Sequence, residues 1–376
     1  MADMAGDQRI ESFIRERFAE AGVTLDGNNS WDIHVHDRRF FKRVFSQQSL
    51  GLGESYMDGW WDVERLDLLF ERLYRRDLHN RGLTWRHTLH FLRSRMFNMQ
   101  RPDRAYQVGK VHYDVGNDLY KIMLGPQMIY SSCCWKTAST LAQAEHAKLD
   151  LICRKLDLSP GMKVLDIGCG WGGFARFAAE RYGVAVTAIT ISQQQVDLAR
   201  EYCRNSSVEI RLQDYRQVTE RFDRIASIGM IGHVGYKNYR TMMEVVERCL
   251  VDDGLFFINT MGANRSSTAA EPWIDKYIFP NGMAPSLVQM TMAFEGVFAM
   301  EDWQNPSTDY YKTGMAWLAN FDDGWSQLSA RYDERFRRMW RYYLSCIASA
   351  FEARILQTWD IVLSKPGGRG QYCAPR

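Results

Sequence analysis

The chain has 376 residues, with 47 Lys and Arg against 45 Asp and Glu, a formal charge of +2 and 46% hydrophobic residues. That is enough for two modest domains with a sizeable core and no need of disulfide staples. A charged fraction of 24% beside 13% aromatic residues excludes a disordered or collagen-like chain, and no apolar run approaches the roughly 18 residues that span a bilayer.

In chain order, the opening MADMAGDQRIESF carries acids early and lacks an apolar core, so no secretory signal is expected and the expected location is cytoplasmic. Residues 1–75 read as a small unit rich in turn residues and Trp, as in Asn28-Asn29-Ser30-Trp31-Asp32 and LGLGESYMDGWWD at 50–62. Between Arg72 and Lys110 ten basic residues face only Asp77 and Asp103, so this segment is +8 and the remainder −6. Leu83, Trp85, Leu89, Phe91, Leu92, Met96, Phe97 and Met99 are interleaved with the arginines. Such a segment, expected as a helical linker over 76–108, fits either a helix lying on an anionic lipid surface or a connection whose arginines pair with the acidic remainder. It has no stacking platform or recognition motif for nucleic acid.

From residue 109 the pattern becomes strand–turn–helix. KVLDIG (163–168), AVTAIT (185–190), VEIRLQD (208–214), FDRIASIG (222–229) and GLFFINT (254–260) read as strands, with helical patterns such as QQQVDLAREYCR between them. Alternation of this kind predicts an α/β fold with a mostly parallel, Rossmann-like sheet and helices on both faces. The eight cysteines show no CxxC spacing, so no metal site is expected and they read as reduced, buried, small hydrophobes.

Asp166-Ile167-Gly168-Cys169-Gly170-Trp171-Gly172-Gly173 ends the first of these strands and opens a helix, where glycines let backbone N–H groups approach a ligand. Gly168, Gly170 and Gly173 also satisfy the dinucleotide fingerprint. A nicotinamide site, however, wants an acid at the end of the second strand, and that position is Thr190. Ser192 to Gln195 follow it as a capping-box pattern. The Asp before the first glycine and the Asp214-Tyr215 pair after the third strand instead identify an S-adenosylmethionine (SAM) loop, the mark of a class I SAM-dependent methyltransferase.

HYDVGNDLY (112–120), VLDIGCGWGGFA (164–175), ITISQQQ (189–195), HVGYKNY (233–239) and WIDKYIFPNG (273–282) resemble the cyclopropane-fatty-acyl-phospholipid synthase family, and GNNSWDI and SLGLGESYMDGWWD extend the resemblance to nearly the whole chain. It implies transfer of a methyl group from SAM to the cis double bond of an unsaturated phospholipid acyl chain in a membrane, followed by proton loss and ring closure. Residues 1–75 would then be a lipid-docking domain, 109–376 the methyltransferase domain, and 263–300 an acyl-chain lid. By the same resemblance Tyr130 and Ser131 would hold the methionine end, with Asp166, Gly168, Gly170 and Gly172 in the glycine loop. Thr190 and Gln195 would meet the ribose, and Asp214 and Tyr215 the adenine. The expected partners are unsaturated phospholipid, an anionic surface reached through Arg72–Lys110 and, as an open alternative to a monomer, a second copy in a homodimer.

The resemblance breaks at the seat of the bicarbonate ion thought to take the proton in this family. A usual cysteine is Ser132, a glutamate is Gly232, a histidine is Asn259, and only the tyrosine remains, as Tyr310. A further cysteine falls on Ile347, with Cys346 expected about 100° away around the helix. Ser132 and Asn259 retain hydrogen-bond donors for an anion, whereas Gly232 offers no side chain. Tyr310, His233 or water are the remaining proton acceptors, and His233 reads equally as a loop-holding residue. Three readings follow: a cyclopropane product, a non-cyclising C-methyltransferase giving a methyl or methylene branch, and a lipid-binding homologue without catalysis. The apolar stripe Phe336, Met339, Trp340, Tyr343, Leu344, Ile347, Phe351 predicts a helix whose face either packs the core or lines an acyl tunnel.

Overall fold

The computed structural model describes residues 2–76 and 116–376, with side chains from Gly6 onward. The linker over 76–108, the basic segment after Arg76 and the first four residues of HYDVGNDLY lie outside the described residues, apart from Arg76 itself.

Helix α1 (Ala2–Glu20) is followed by the short antiparallel strands β1 (His34–Val35) and β2 (Trp61–Asp62), which flank α2 (Arg39–Met57), and then by α3 (Leu66–Arg75). The second part opens with α4 (Asn117–Met123) and α5 (Leu141–Lys155). It continues through β3 (Lys163–Ile167), α6 (Gly173–Tyr182), β4 (Ala185–Thr190), α7 (Gln193–Tyr202), β5 (Val208–Leu212) and β6 (Phe222–Ile228). Then come α8 (Tyr239–Cys249), β7 (Leu250–Ala263), α9 (Pro272–Tyr277), α10 (Leu287–Phe294) and β8 (Ala299–Gln304). The last elements are α11 (Thr308–Asp323), α12 (Glu334–Glu352) and β9 (Leu356–Ser364).

The seven-stranded sheet has the order β5-β4-β3-β6-β7-β9-β8. Strands β3 to β7 pair in parallel through helical crossovers, while β9 enters antiparallel between β7 and β8. All five strands read from the sequence are present, the fifth beginning four residues earlier at Leu250. Some helix starts carry side-chain caps: Thr140 accepts from the Gln143 N–H, and Asp333 accepts from the Phe336 N–H at 2.7 Å. The capping box expected at Ser192 is only half made. Ser192 accepts from the Gln195 N–H, but the Gln195 side chain takes the Thr190 hydroxyl at 2.6 Å instead of turning back to the cap.

The N-terminal residues share one core with the rest of the chain instead of enclosing their own. Phe40, Trp61 and Leu69 join Tyr120, Trp273, Trp340 and Phe351 in a single buried cluster. Polar ties close the seam: Arg338 donates to Trp61 O (2.8 Å) and Asp62 (2.7 Å), and Tyr311 OH donates to Asp67 at 2.8 Å. Buried Glu54 accepts from Arg43, Lys276 and Tyr277, which fastens α9 to α2. Helix α12 lies at the centre of this arrangement, touching both the N-terminal helices and α11. All eight cysteines are free, six of them buried.

Candidate active site

The site grows from the C-terminal ends of the parallel strands, where an α/β sheet leaves a crevice. After Ile167 the backbone turns through Gly168 and Gly170 at φ +80° and +56°, conformations that cost a side chain strain. A Cβ on Gly168 would also stand 2.8 Å from Met230 Sδ. The Gly168 and Cys169 N–H groups both donate to Ile189 O, at 2.9 and 3.0 Å, and so hold the loop to β4. Asp166 is 1% exposed, and its Oδ2 has no hydrogen-bond partner among the described residues. Burial raises its pKa to about 7. An orphaned buried carboxylate oxygen beside an open glycine turn suits a cationic donor on a ligand.

Along the sheet edge, Thr190 and Gln195 stand together at the end of β4, and Asp214 and Tyr215 at the end of β5, all lining the same cavity. Asp214 is braced by Arg216, which donates to Oδ1 from Nε at 2.8 Å and to Oδ2 from Nη2 at 2.6 Å. In the other direction, Ser131 lies against Gly229 at the end of β6, 3.8 Å from the position a Cβ would take there. Tyr130 OH meets Tyr343 OH at 2.8 Å. Gly172 is not in the cavity wall. Its φ is +83°, and a Cβ there would lie 2.7 Å from Cys203 Sγ, so it serves the close approach of α6 to α7 and not the ligand.

Of the five positions expected at the chemistry, Tyr310, His233, Asn259 and Gly232 line the cavity and Ser132 does not. Ser132 is buried, with its hydroxyl turned to Cys133 O at 3.4 Å. The Asn259 amide N–H₂ is already given to Asp360 Oδ1 at 2.7 Å, across the β7–β9 pair. Met283 O sits 3.3 Å from where a Gly232 Cβ would be, so backbone occupies the place of a longer side chain. The fit to a bicarbonate ion is poor: the Ser132 hydroxyl is outside the cavity wall, and Asn259 keeps one amide hydrogen beside the buried Asp360 carboxyl.

His233 packs edge-on to Phe279 (5.5 Å between centroids), and burial lowers its pKa to about 4, so the ring is neutral near pH 7. Tyr310 stacks on Phe351 at 4.0 Å, and burial raises its pKa, so it stays a phenol.

The cavity holds about 890 Å³. It runs from the glycine loop past Met283 and Phe279, along Tyr342, Tyr343 and Ile347 of α12, to Phe13, Phe18 and Phe45 of the N-terminal helices. The expected stripe divides, with Tyr343 and Ile347 in the wall and Trp340 and Leu344 in the core. Cys346, expected to point away from Ile347, also reaches the wall, because the cavity curls around the helix.

Two participants escaped the sequence reading. Lys148 is buried and donates its ammonium to Ser131 Oγ, and Asp360 is buried behind Asn259. The signal for Lys148 was present: it shares the helical stripe 144, 148, 151, 152 with apolar Ala144, Leu151 and Ile152, so the periodicity alone places it inward.

This fold and this strand-end crevice define a class I SAM-dependent methyltransferase. Two solved structures carry the same architecture, each covering 69% of this chain and 98% of the other: the cyclopropane synthase MmaA2 from Mycobacterium tuberculosis (TM-score 0.66, 26% identity) and mycolic acid cyclopropane synthase CmaA1 complexed with SAH and CTAB (TM-score 0.65, 28% identity). The profile of the mycolic acid cyclopropane synthetase family matches residues 100–361, and the chain belongs to that family. It is 48% identical over 360 residues to the cyclopropane-fatty-acyl-phospholipid synthase of Escherichia coli K12, covering 96% of this chain and 94% of that one.

Proposed function

We propose that this chain transfers a methyl group from SAM to the cis double bond of unsaturated phospholipid acyl chains and closes it to a cyclopropane. The observation that carries this reading is a single cavity joining the glycine loop to an apolar channel along α12. When bound, SAM supplies an electrophilic methyl group. Asp166 would receive the cationic methionine end, with Ser131 and Tyr130 beside it, Thr190 and Gln195 would meet the ribose, and Asp214 and Tyr215 the adenine. An alkene is a weak nucleophile, so the wall contributes orientation and exclusion of water. The faces of Tyr310, Tyr343 and Phe279 offer negative π density to the carbocation that develops on the acyl chain. Neutral His233 is the candidate to take the proton from the new methyl group, since a hydrogen next to a carbocation needs only a weak, positioned base.

Residues 1–75 would guide the lipid, since Phe13 and Phe45 contribute to the far wall of the cavity and meet edge-to-face at 5.6 Å. The 263–300 stretch would act as lid, with peripheral membrane attachment aided by the basic segment Arg72–Lys110. A homodimer is compatible with this arrangement and is read by sedimentation.

One observation favours a second reading, in which the product is a methyl or methylene branch: Asn259 is turned to Asp360 and position 232 has no side chain, so proton removal differs from that expected of the family. Incubating the protein with SAM and vesicles of defined monounsaturated phospholipid, followed by mass spectrometry and NMR of the acyl chains, decides. The expected product gains one methylene and shows ring protons; a gain with vinyl protons supports the branch, and no gain with SAM bound but unspent removes both.

A further inference from the structure

Between Lys276 and Glu295 the sequence contains no Asp, Glu, Lys or Arg over the eighteen positions 277–294. The run ends in α10, whose inner residues Met290, Ala293 and Phe294 are buried in the core beside α8. Its outer residues Leu287, Val288 and Met292 are 49%, 60% and 64% exposed, which places them among the most open large hydrophobics of the described residues. A surface helix normally pairs an apolar inner stripe with a polar outer one, whereas the exposed face of α10 is apolar but for Thr291, whose hydroxyl turns back to Leu287 O and Val288 O.

The helix is preformed and joined to the cavity rim. Ser286 and Gln289 close a full capping box at its start, and Gln289 Nε2 donates to Ser267 O at 3.0 Å. The Ala263 N–H donates to Pro285 O at 2.8 Å. Ala263, Ser267, Met283 and Ala284 all line the cavity. At the other end, the half-exposed Arg240 guanidinium donates to Ala293 O and Glu295 O and pairs through Nε with Glu244 at 3.1 Å, which sets an ion pair at the edge of the apolar patch. An uncharged face with a polar, charged border, mounted on the rim of the cavity that the phospholipid reading assigns to the acyl chain, matches the boundary between headgroups and acyl chains.

We propose that the outer face of α10 docks this chain on a phospholipid bilayer, with Leu287, Val288 and Met292 entering the headgroup–acyl boundary and the Arg240–Glu244 pair at the level of the headgroups. The proposal rests on the phospholipid reading above and adds the surface through which the bilayer is met.

The test uses the full chain with Leu287→Gln, Val288→Gln and Met292→Gln combined. These side chains are exposed, so the fold is kept, and binding of S-adenosylhomocysteine checks this. Sedimentation with vesicles of unsaturated phosphatidylethanolamine and phosphatidylglycerol should fall at least about tenfold. Turnover of the vesicle lipid should fall with it, while turnover of the same lipid in detergent micelles should stay within about twofold of the parent protein. Unchanged vesicle binding overturns the proposal. So does a lower sedimentation coefficient of the variant without lipid, which would assign the patch to contact between two copies. Parent protein that turns over lipid in neither form instead defeats the phospholipid reading, and the vesicle-binding comparison still decides the docking surface.

Discussion

The two ends of the one cavity are built in opposite ways. The cofactor end comes from a few consecutive residues at the tips of β3, β4 and β5, where backbone turns and short polar side chains set the geometry. The lipid end is assembled from α1, α2, α3, the 263–284 stretch and α12, segments up to several hundred residues apart. A strand tip is specified locally, by glycine at positive φ and an acid before it. An apolar channel exists only after packing. Damage to the first should abolish function through cofactor loss, and damage to the second should spare cofactor binding.

The largest effect is expected at Asp166. Asp166→Asn removes the orphaned carboxylate beside the glycine loop, so affinity for SAM should drop at least about tenfold and turnover with it. A pH signature accompanies this. The folded-state pKa of Asp166 is raised to about 7 by burial, above its ordinary value of 3.8. Between those values the native state holds a proton that the unfolded state has released, so this group makes the ligand-free protein less stable as pH rises from about 4 to 7. The Asn variant should lose that part of the slope in thermal melts across pH. Retained SAM affinity in the variant would detach the orphan oxygen from the cofactor.

The opposite end is tested by Ile347→Trp. The added bulk enters the channel wall on α12 and not the strand tips. Binding of S-adenosylhomocysteine should stay within about twofold, while turnover of phospholipid should fall on the order of 100-fold by misplacing the double bond. Equal loss of both would mean that the two ends are not separable.

The same contrast decides what the sequence disclosed. Strands β3 to β7 and the glycine loop were legible because each is a short apolar run closed by turn residues. Strand β8 was not, since AMEDWQ carries two acids and lies at the sheet edge, where only one side needs covering. Nor was β9, which is inserted antiparallel between β7 and β8 with Asp360 in its middle. That acid is buried with a hydrogen bond from Asn259 on the neighbouring strand and with the Lys148 and Lys155 ammonium groups nearby. Gly172 looked like part of the loop by spacing, but its missing Cβ makes room for Cys203. Ser132 follows from the family resemblance alone, and its hydroxyl turns to a backbone carbonyl. Charge counting found the basic segment, while the uncharged surface of α10 required knowing which face of the helix is buried.

Lys148 offers the finest division within the cofactor end itself. Its ammonium is buried, holds Ser131 Oγ, and is electrostatically near Glu145 and Asp360; burial lowers its pKa. Ser131 sits at the tip of β6, whereas Thr190, Gln195, Asp214 and Tyr215 sit at β4 and β5, so Lys148 acts only on the end away from the nucleoside. Lys148→Met keeps much of the side-chain length and removes the charge. Removing one buried charge leaves its partners Glu145 and Asp360 without compensation, although Glu145 keeps hydrogen bonds from the Gln127 and Ile129 N–H groups. The melting temperature should therefore fall, and the two ligand affinities are compared at a temperature where the variant is folded. Affinity for S-adenosylhomocysteine should fall by about three- to tenfold as Ser131 loses its anchor. Affinity for 5′-methylthioadenosine, which has the nucleoside but no amino-acid end, should not change. A variant that weakens both ligands equally would show that Lys148 supports the fold of the whole loop and not the placement of Ser131.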